Sequence, residues 1–478
     1  RPGRPTVVPF PRGRPGPPPP QPLGPPAGMD RDAGIDFDVV AAMREQVATY
    51  LSDHTDPAGS GRGSTQQTRQ LGAAYIARLV ADMLGAQARA GGPPVSAAAE
   101  AAWCKAVADA CFGLGRLQPY VDDVVNVANI DVYGCDDVVV EYRGGRLVRV
   151  PPVFRSDTEL VEMIARAARY APLAREFSDR TPLLTTRLAG GSRLTAQTRV
   201  SPRPGLTVRN HQFVEGITLD TLLHLGTIDR LLCLVLRAAV RAGWNIIISG
   251  EQSAGKTTML RALCAETPPW QKLVVIEREA ELFLERLARP GQVVPLEAQD
   301  ANAEGAGAID MTALVVHALR MNAGRLILGE ARSDEIVALL TAMSAGSRGA
   351  MATIHANRAQ DVFAVRIPSL AMMANPPLPV AFSHLHAAAG LHLVVHLEMA
   401  TDLAPDGTPL RRRRYVSAVA EVTGLEDGHV TSNAIFAPGP DGRAIPGSAI
   451  HRLDELVTAG LDPRHLQSHP HGLWQETP

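Results

Sequence analysis

The sequence predicts an α/β protein whose second half is a largely parallel, helix-covered sheet, preceded by a small α+β domain and a helical extension. Three observations carry this. Residues 245–249 (NIIIS) and 272–276 (KLVVI) are short, continuous apolar runs, and 325–328 (RLIL) and 350–354 (AMATI) are similar but less pure. Such runs fit strands buried on both faces, as a parallel sheet requires. Between them lie segments of helical period, Thr257 to Glu266, Met311 to Arg320 and Asp334 to Ala345, in the alternation expected of crossover connections. Upstream, "NVANIDVYGCDDVVVEYRGGRLVRV" has Val-rich runs split by Gly and Asp pairs, the pattern of strands joined by hairpins.

Taken in order, residues 1–34 are expected to be a disordered, Pro-rich tail, because twelve of the first 28 residues are proline and little there can be buried. Met29 directly follows the tract, so either the native start is Met29 or the tract is a genuine tail. Residues 35–112 read as a helical extension. Ile35, Val39, Val40, Met43 and Val47 recur at helical spacing, and further helices are expected near Leu71 to Leu84 and Val95 to Phe112. Residues 113–218 read as the α+β domain, with a helix from Leu160 to Tyr170 and a Gly-Gly turn inside "TPLLTTRLAGGSRLTAQTRV". Residues 219–440 form the parallel-sheet domain, and 441–478 read as a poorly defined C-terminal tail.

Composition excludes several classes. Of 47 Lys plus Arg only three are lysine (Lys105, Lys256, Lys272), leaving 44 arginines, and the formal charge is −2. A balance so near zero argues against a protein that coats nucleic acid or anionic lipid over its whole surface. The five cysteines are odd in number and lack CxxC spacing, which suits a reducing compartment and gives no zinc signature. The N-terminus has no apolar signal region. The uncharged stretch Ile367 to Leu397 is long enough to span a bilayer, but four prolines and four histidines fit a broken helical region of a soluble, cytoplasmic protein better.

The chemistry concentrates in "NIIISGEQSAGKTTMLRAL". Gly250, four residues, then Gly255, Lys256 and Thr257 follow an apolar strand and open a helix, the phosphate-loop pattern in its proper context. The glycines permit backbone angles that aim successive amides at phosphate, and the helix N-terminus adds its dipole. Lys256 is expected to reach the β- and γ-phosphates and the Thr257 hydroxyl to hold Mg²⁺. In a chain that uses Arg almost everywhere, a Lys at this position is a pointer in itself, because the task needs a compact, rotatable cation.

Three further strand ends carry candidates. "RLILGE" ends in Glu330, placed to orient or deprotonate water and to act on Mg²⁺. "KLVVIEREAEL" carries Glu277, Glu279 and Glu281, and "TIHAN" places His355 directly after an apolar run. The cluster His384, His386, His392 and His396 includes one pair four apart that would share a helix face, but ordinary packing is favoured over a metal site. The run Arg411 to Arg414 after a DG turn reads as a solvated hairpin edge.

In order, "SGEQSAGKTT", "VVIEREAEL", "LRMNAGRLILGEAR" and "GAMATIHANR" resemble the CpaF/TadA-type ATPases of tight-adherence pili, within the type II/type IV secretion ATPase superfamily. "FGLGRLQPYVDD", "RTPLLTTRLAGGSRLTA" and "AVAEVTG" extend the resemblance over about residues 95–440. It implies a RecA-like phosphate-loop core, ATP and Mg²⁺ as ligands, and a hexameric motor acting on inner-membrane platform proteins from the cytoplasmic face. The phosphate loop would comprise Gly250, Glu251, Gln252, Ser253, Ala254, Gly255, Lys256, Thr257 and Thr258. Glu277 and Glu281 would be the acidic-box carboxylates, Glu330 the Walker B glutamate and His355 the histidine-box residue. Arg187, Arg193 and Arg209 match arginines that lean over nucleotide from the N-terminal domain. Arg320 and Arg325 match arginines expected to reach nucleotide across a subunit boundary, and Arg332 matches the arginine after Walker B.

The chain departs from that pattern in places. Arg278 replaces the acidic-box aspartate, Ser333 and Asp334 replace a Gly-Gly pair, Thr185 replaces an aspartate, and AGSRGA stands where one of two histidines is usual. Two alternative functions follow, a conjugation-type DNA-transfer motor on the same core, or a nucleotide-dependent switch with little turnover.

Overall fold

The computed structural model describes residues 35–54, 62–91, 96–143, 146–171, 175–210, 216–287, 291–299, 307–403, 409–468 and 472–474. The expected Pro-rich tail, with Met29, lies outside them. The chain divides into two compact units, residues 1–212 and 213–478.

The first unit begins with helices α1 (Phe37–His54), α2 (Arg62–Arg89) and α3 (Ala97–Phe112). Their apolar residues fall every three or four positions, Val40, Met43, Val47 and Leu51, then Ile76, Val80 and Leu84, then Trp103, Val107 and Cys111. These rows close a core of their own. Ser96 caps α3 by accepting from the Ala99 amide at 3.1 Å.

After α4 (Gln118–Asp122) come β1 (Val127–Tyr133), β2 (Asp137–Tyr142), β3 (Leu147–Val150), α5 (Asp157–Arg169), β4 (Leu183–Arg187), β5 (Arg193–Gln197) and β6 (Gly205–Arg209). The strands form one antiparallel sheet in the order β3-β2-β1-β6-β5-β4. Ile130, Val132, Val138, Val140, Leu194, Ala196, Leu206 and Val208 share a core with Leu160, Met163, Ile164 and Ala167 of α5. Alternation turns the intervening residues to the other face of the sheet. On that face Arg187 lies opposite Arg193, and Arg193 opposite Arg209.

The second unit contains α6 (Leu219–His224), α7 (Arg230–Ala242), β7 (Ile246–Gly250), α8 (Lys256–Ala265), β8 (Leu273–Glu277), β9 (Val293–Glu297), α9 (Met311–Ala318), β10 (Arg325–Ala331) and α10 (Glu335–Ser344). It continues with β11 (Met351–His355), α11 (Ile367–Ala371), α12 (Val380–Gly390), β12 (Leu393–Leu403), β13 (Pro409–Glu426), β14 (His429–Pro438), β15 (Ala444–Pro446), α13 (Leu453–Thr458) and α14 (Arg464–Ser468). The nine strands run in the order β15-β14-β13-β12-β7-β11-β10-β8-β9. From β12 through β7, β11, β10 and β8 to β9 all pairs are parallel, and from β12 to β15 all are antiparallel.

The continuous apolar runs are explained by helices on both faces. Ile246, Ile248, Leu273, Val275 and Ile327 enter one core with α7 and α8. Ile247, Val274, Ile276, Leu326 and Leu328 enter the opposite core with α9, α10 and α11. This is the α/β architecture expected, with β7 inside the sheet and loops at the carboxyl ends of its parallel strands, where such sheets place ligands.

Two readings change. His392 and His396 do not share a helix face, because α12 ends at Gly390 and β12 begins at Leu393. Residues 441–468, expected to be poorly defined, are structured. Strand β15 pairs with β14, Leu456 of α13 is fully buried, and Trp244 donates to Glu455 Oε2 at 3.0 Å. Among the described residues no helix is long and apolar enough to cross a membrane.

Candidate active site at the carboxyl edge of the parallel sheet

The loop from Gly250 to Gly255 leaves the end of β7 with three positive φ angles, Gly250 at 146°, Ser253 at 64° and Gly255 at 96°. At Gly250 glycine is required twice over, since a Cβ there would also run into the Leu397 carbonyl oxygen of β12. Helix α8 starts at Lys256 with its first amides facing the loop. Glu251, Gln252 and Ser253 are exposed, Ala254 is buried, and Thr257 and Thr258 are half-buried on the first turn of α8.

Lys256 is folded back over the loop. Its ammonium donates to the Gly250 carbonyl at 3.0 Å and the Glu251 carbonyl at 2.7 Å, and lies 3.2 Å from His355 Nδ1. Burial lowers its pKa to about 8, against the pull of Glu330 and helped by the charge of Arg332. A desolvated cation enclosed by backbone dipoles, at a helix N-terminus, is an environment that favours an incoming anion.

His355 ends β11 opposite Gly250 in register. Its Nε2 is 3.0 Å from Glu330 Oε1, and Arg332 donates to Glu330 Oε2 at 2.8 Å. With Nδ1 accepting from Lys256, the proton of the neutral ring sits on Nε2 and is directed at Glu330. Burial and the Lys256 charge both lower the His355 pKa, so this neutral form holds at neutral pH. Burial alone would raise Glu330, but the Arg332 hydrogen bond and charge, with His355 and Lys256 beyond, carry its carboxyl below the ordinary value. Lys256, His355, Glu330 and Arg332 thus form one connected chain across the ends of β7, β11 and β10.

Glu277, at the end of β8, is only 5% exposed. Its Oε1 accepts from the Glu281 and Leu282 amides at 3.0 Å each, and burial raises its pKa to about 7. Gly329 makes room for it, since a Cβ there would lie 2.8 Å from Glu277 Cγ. The Glu281 carbonyl accepts from Arg261, so Glu277 and Glu281 both organise the turn after β8. Arg278, where an aspartate was expected, is exposed.

Not every candidate is gathered here. Arg325 is a correction. It begins β10, at the edge of the sheet away from the phosphate loop, and is 2% exposed. Its guanidinium donates to Gln271 Oε1 and to the Val240 carbonyl, both at 2.6 Å, so it holds the core and is not presented to a neighbouring subunit. Arg320 is exposed just past α9 and joins none of the groups above. Arg187, Arg193 and Arg209 belong to the first unit, in the cross-strand row already described.

Other groups at the loop were not anticipated. Ser249, beneath it, shares a hydrogen bond with His396 Nδ1 at 2.9 Å, and Arg366 donates to the His355 carbonyl at 2.8 Å. Arg414, read as part of a solvated hairpin edge, donates from Nε to the Ser253 carbonyl at 2.8 Å. The DG turn and the basic run signalled a hairpin, but nothing in them indicated where it lies.

The fold and site together define a phosphate-loop α/β protein with a lysine, a histidine and a carboxylate converging on the loop. More narrowly, the chain belongs to the family described as type II/IV secretion system protein, whose profile matches residues 114–424. A Mycobacterium tuberculosis protein named for conjugal transfer is 32% identical over 206 residues, 43% of this chain and 55% of that protein. The type IV secretion system protein PtlH of Bordetella pertussis is 36% identical over 124 residues, 25% of this chain and 35% of PtlH. The chain therefore spans about half, or less, of the length of the relatives it matches. Among solved structures, the VirB11 ATPase of Brucella suis aligns at 24% identity over 63% of this chain and 91% of its own, with a TM-score of 0.33. The DotB ATPase of Legionella pneumophila aligns at 16% over 65% and 81%, with a TM-score of 0.46.

Proposed function

We propose that this protein is a Mg²⁺-dependent ATP hydrolase of the CpaF/TadA type, working as a homohexamer at the cytoplasmic face of a membrane complex to drive pilus assembly or protein secretion. The single observation that carries the hydrolase reading is the connected chain Lys256–His355–Glu330–Arg332 around a positive-φ loop. The ordered motifs and the family support the motor reading.

Each residue has a task in that reading. The loop amides and the α8 N-terminus hold the β- and γ-phosphates, with Lys256 exchanging its two loop carbonyls for phosphate oxygens. Thr257 and Glu330 are the groups that would hold Mg²⁺, whose chemistry is to neutralise charge on the phosphate oxygens. Glu330, held ionised by Arg332, accepts a hydrogen bond from the attacking water and orients it. Its lowered pKa makes it a better orienting acceptor than a base. His355 couples the position of Lys256 to that carboxylate. Arg320, exposed just past α9, is the candidate donor across a subunit boundary.

Steady-state phosphate release from wild type and Glu330→Gln tests the proposal. Turnover abolished by the substitution supports it. A wild type that binds ATP yet releases phosphate no faster than Glu330→Gln refutes the hydrolase reading and leaves the switch, which Arg278 in the acidic box favours. The relatives named for conjugal transfer favour a DNA-transfer motor as the second reading. It requires salt-sensitive binding of DNA.

A further inference from the structure

Strands β12 and β13 do not stop at the carboxyl edge of the parallel sheet. Leu397 of β12 pairs with Gly250, the last residue of β7, and also with Val416 of β13. Residues 398–403 and 409–415 therefore continue past that edge, alongside the phosphate loop. Arg414 lies in this overhang, opposite Met399. Its side chain crosses to the loop, where Nε meets the Ser253 carbonyl at 2.8 Å and Cδ lies 3.4 Å from where a Cβ on Gly255 would be.

The contact has a physical purpose on each side. Ser253 is a non-glycine residue at φ 64°, a left-handed conformation that costs about 1 kcal/mol or more and that turns its carbonyl toward the hairpin. A charge-assisted hydrogen bond from Arg414 ties the loop locally to the hairpin. A guanidinium has five N–H donors in a planar fork, and this one uses only Nε among the described residues. The side chain is exposed, so its terminal nitrogens remain available to a ligand lying along the loop.

The sheet order decides which part of a ligand they meet. Glu330 and His355 approach from β10 and β11 on one side of β7, whereas Arg414 approaches from beyond β12 on the other. Resting on the ATPase reading, in which the γ-phosphate faces Glu330 and His355, Arg414 flanks the opposite end. We infer that Arg414 is a nucleotide-binding and loop-positioning residue, holding the phosphate loop through Ser253 and offering its free donors to the α-phosphate and ribose of the bound nucleotide.

Calorimetric titration of the full chain with ATP and with ADP, beside phosphate release, tests this on Arg414→Gln and Arg414→Lys. The expected result is affinity weakened about tenfold, to the same extent for both nucleotides. KM should rise by the same factor with kcat within about twofold, apo melting should be unchanged, and Arg414→Lys should recover part of the loss. Unchanged affinity in Arg414→Gln overturns the inference. So does a loss confined to ATP, or a fall in kcat at constant affinity, since either would put Arg414 at the γ-phosphate. An Arg414→Lys as weak as Arg414→Gln with a lowered melting temperature reduces it to a structural residue and also overturns it. A wild type that binds neither nucleotide removes the ATPase reading itself, a result distinct from all of these.

Discussion

The Lys256 ammonium lies 3.2 Å from Nδ1 of His355, and the same ring places Nε2 3.0 Å from the Glu330 carboxylate. One imidazole therefore ties the lysine proposed to meet phosphate to the carboxylate proposed to meet water. Its lowered pKa keeps it neutral, so it can accept from the lysine and donate to the glutamate together. Substitution His355→Ala breaks both links while leaving the phosphate loop intact. Phosphate release at saturating ATP should fall by about 10²-fold, with KM changed less than about threefold. A KM increase matching the fall in kcat would mean that the histidine serves ground-state binding.

Lys256 supports a prediction with a definite sign. Its pKa is lowered to about 8 in the free protein by burial, and a bound phosphate raises it again. Between the two values the free lysine is partly deprotonated and the bound one is charged, so binding takes up protons. Titration with ADP at pH 8.5 in buffers of different ionisation enthalpy should show net proton uptake, declining toward zero at pH 6.5 as the free lysine becomes fully charged. Lys256→Ala should abolish the pH 8.5 component. Proton release at that pH in wild type would contradict the assignment.

How much of this was legible beforehand depended on the range of the signal. The strand before the phosphate loop, the loop glycines, Lys256 and the strand-end residues Glu330 and His355 are local patterns, written in a few neighbouring residues. Arg325 misled because its motif is local while its burial is not. Gln271, Val240 and Gly349 enclose it from three distant segments. Arg414 was obscured by the same cause, since its partner Ser253 is 161 positions away. The antiparallel half of the sheet was missed at β12. Its residues from His392 on continue an apolar stretch that begins in helices, and apolar runs alone do not separate helix from strand.

Glu277 should make folding stability depend on pH. Its folded pKa, raised by burial to about 7, exceeds the ordinary glutamate value of 4.5. A carboxyl whose pKa is raised on folding contributes stability fully below its unfolded pKa, and that contribution is lost as pH rises through the folded value. Unfolding free energy should therefore fall between about pH 4.5 and pH 7, by an amount of order 2–3 kcal/mol from this residue. Glu277→Gln keeps an acceptor for the Glu281 and Leu282 amides and removes the ionisation. Chemical denaturation of the two proteins across that range should show a shallower pH dependence in the variant and a gain in stability at pH 8. Parallel curves would remove Glu277 as the origin.

Arg325 separates packing from catalysis. Its guanidinium is buried and donates to Gln271 and Val240, while a Cβ on Gly349 would lie 2.8 Å from its Nε. Arg325→Met retains much of the aliphatic length but removes the guanidinium donors to the Gln271 side chain and the Val240 carbonyl. A loss of about 1–3 kcal/mol in stability follows from the lost charge-assisted hydrogen bonds. Because the residue begins β10 at the edge of the sheet remote from the phosphate loop, the folded fraction should keep its affinity for ADP. Denaturation midpoints report the first effect, and calorimetric titration at a temperature well below the melt reports the second. An Arg325→Met protein with wild-type stability but a large loss of turnover in the assembled oligomer would return the residue to a catalytic role at a subunit boundary.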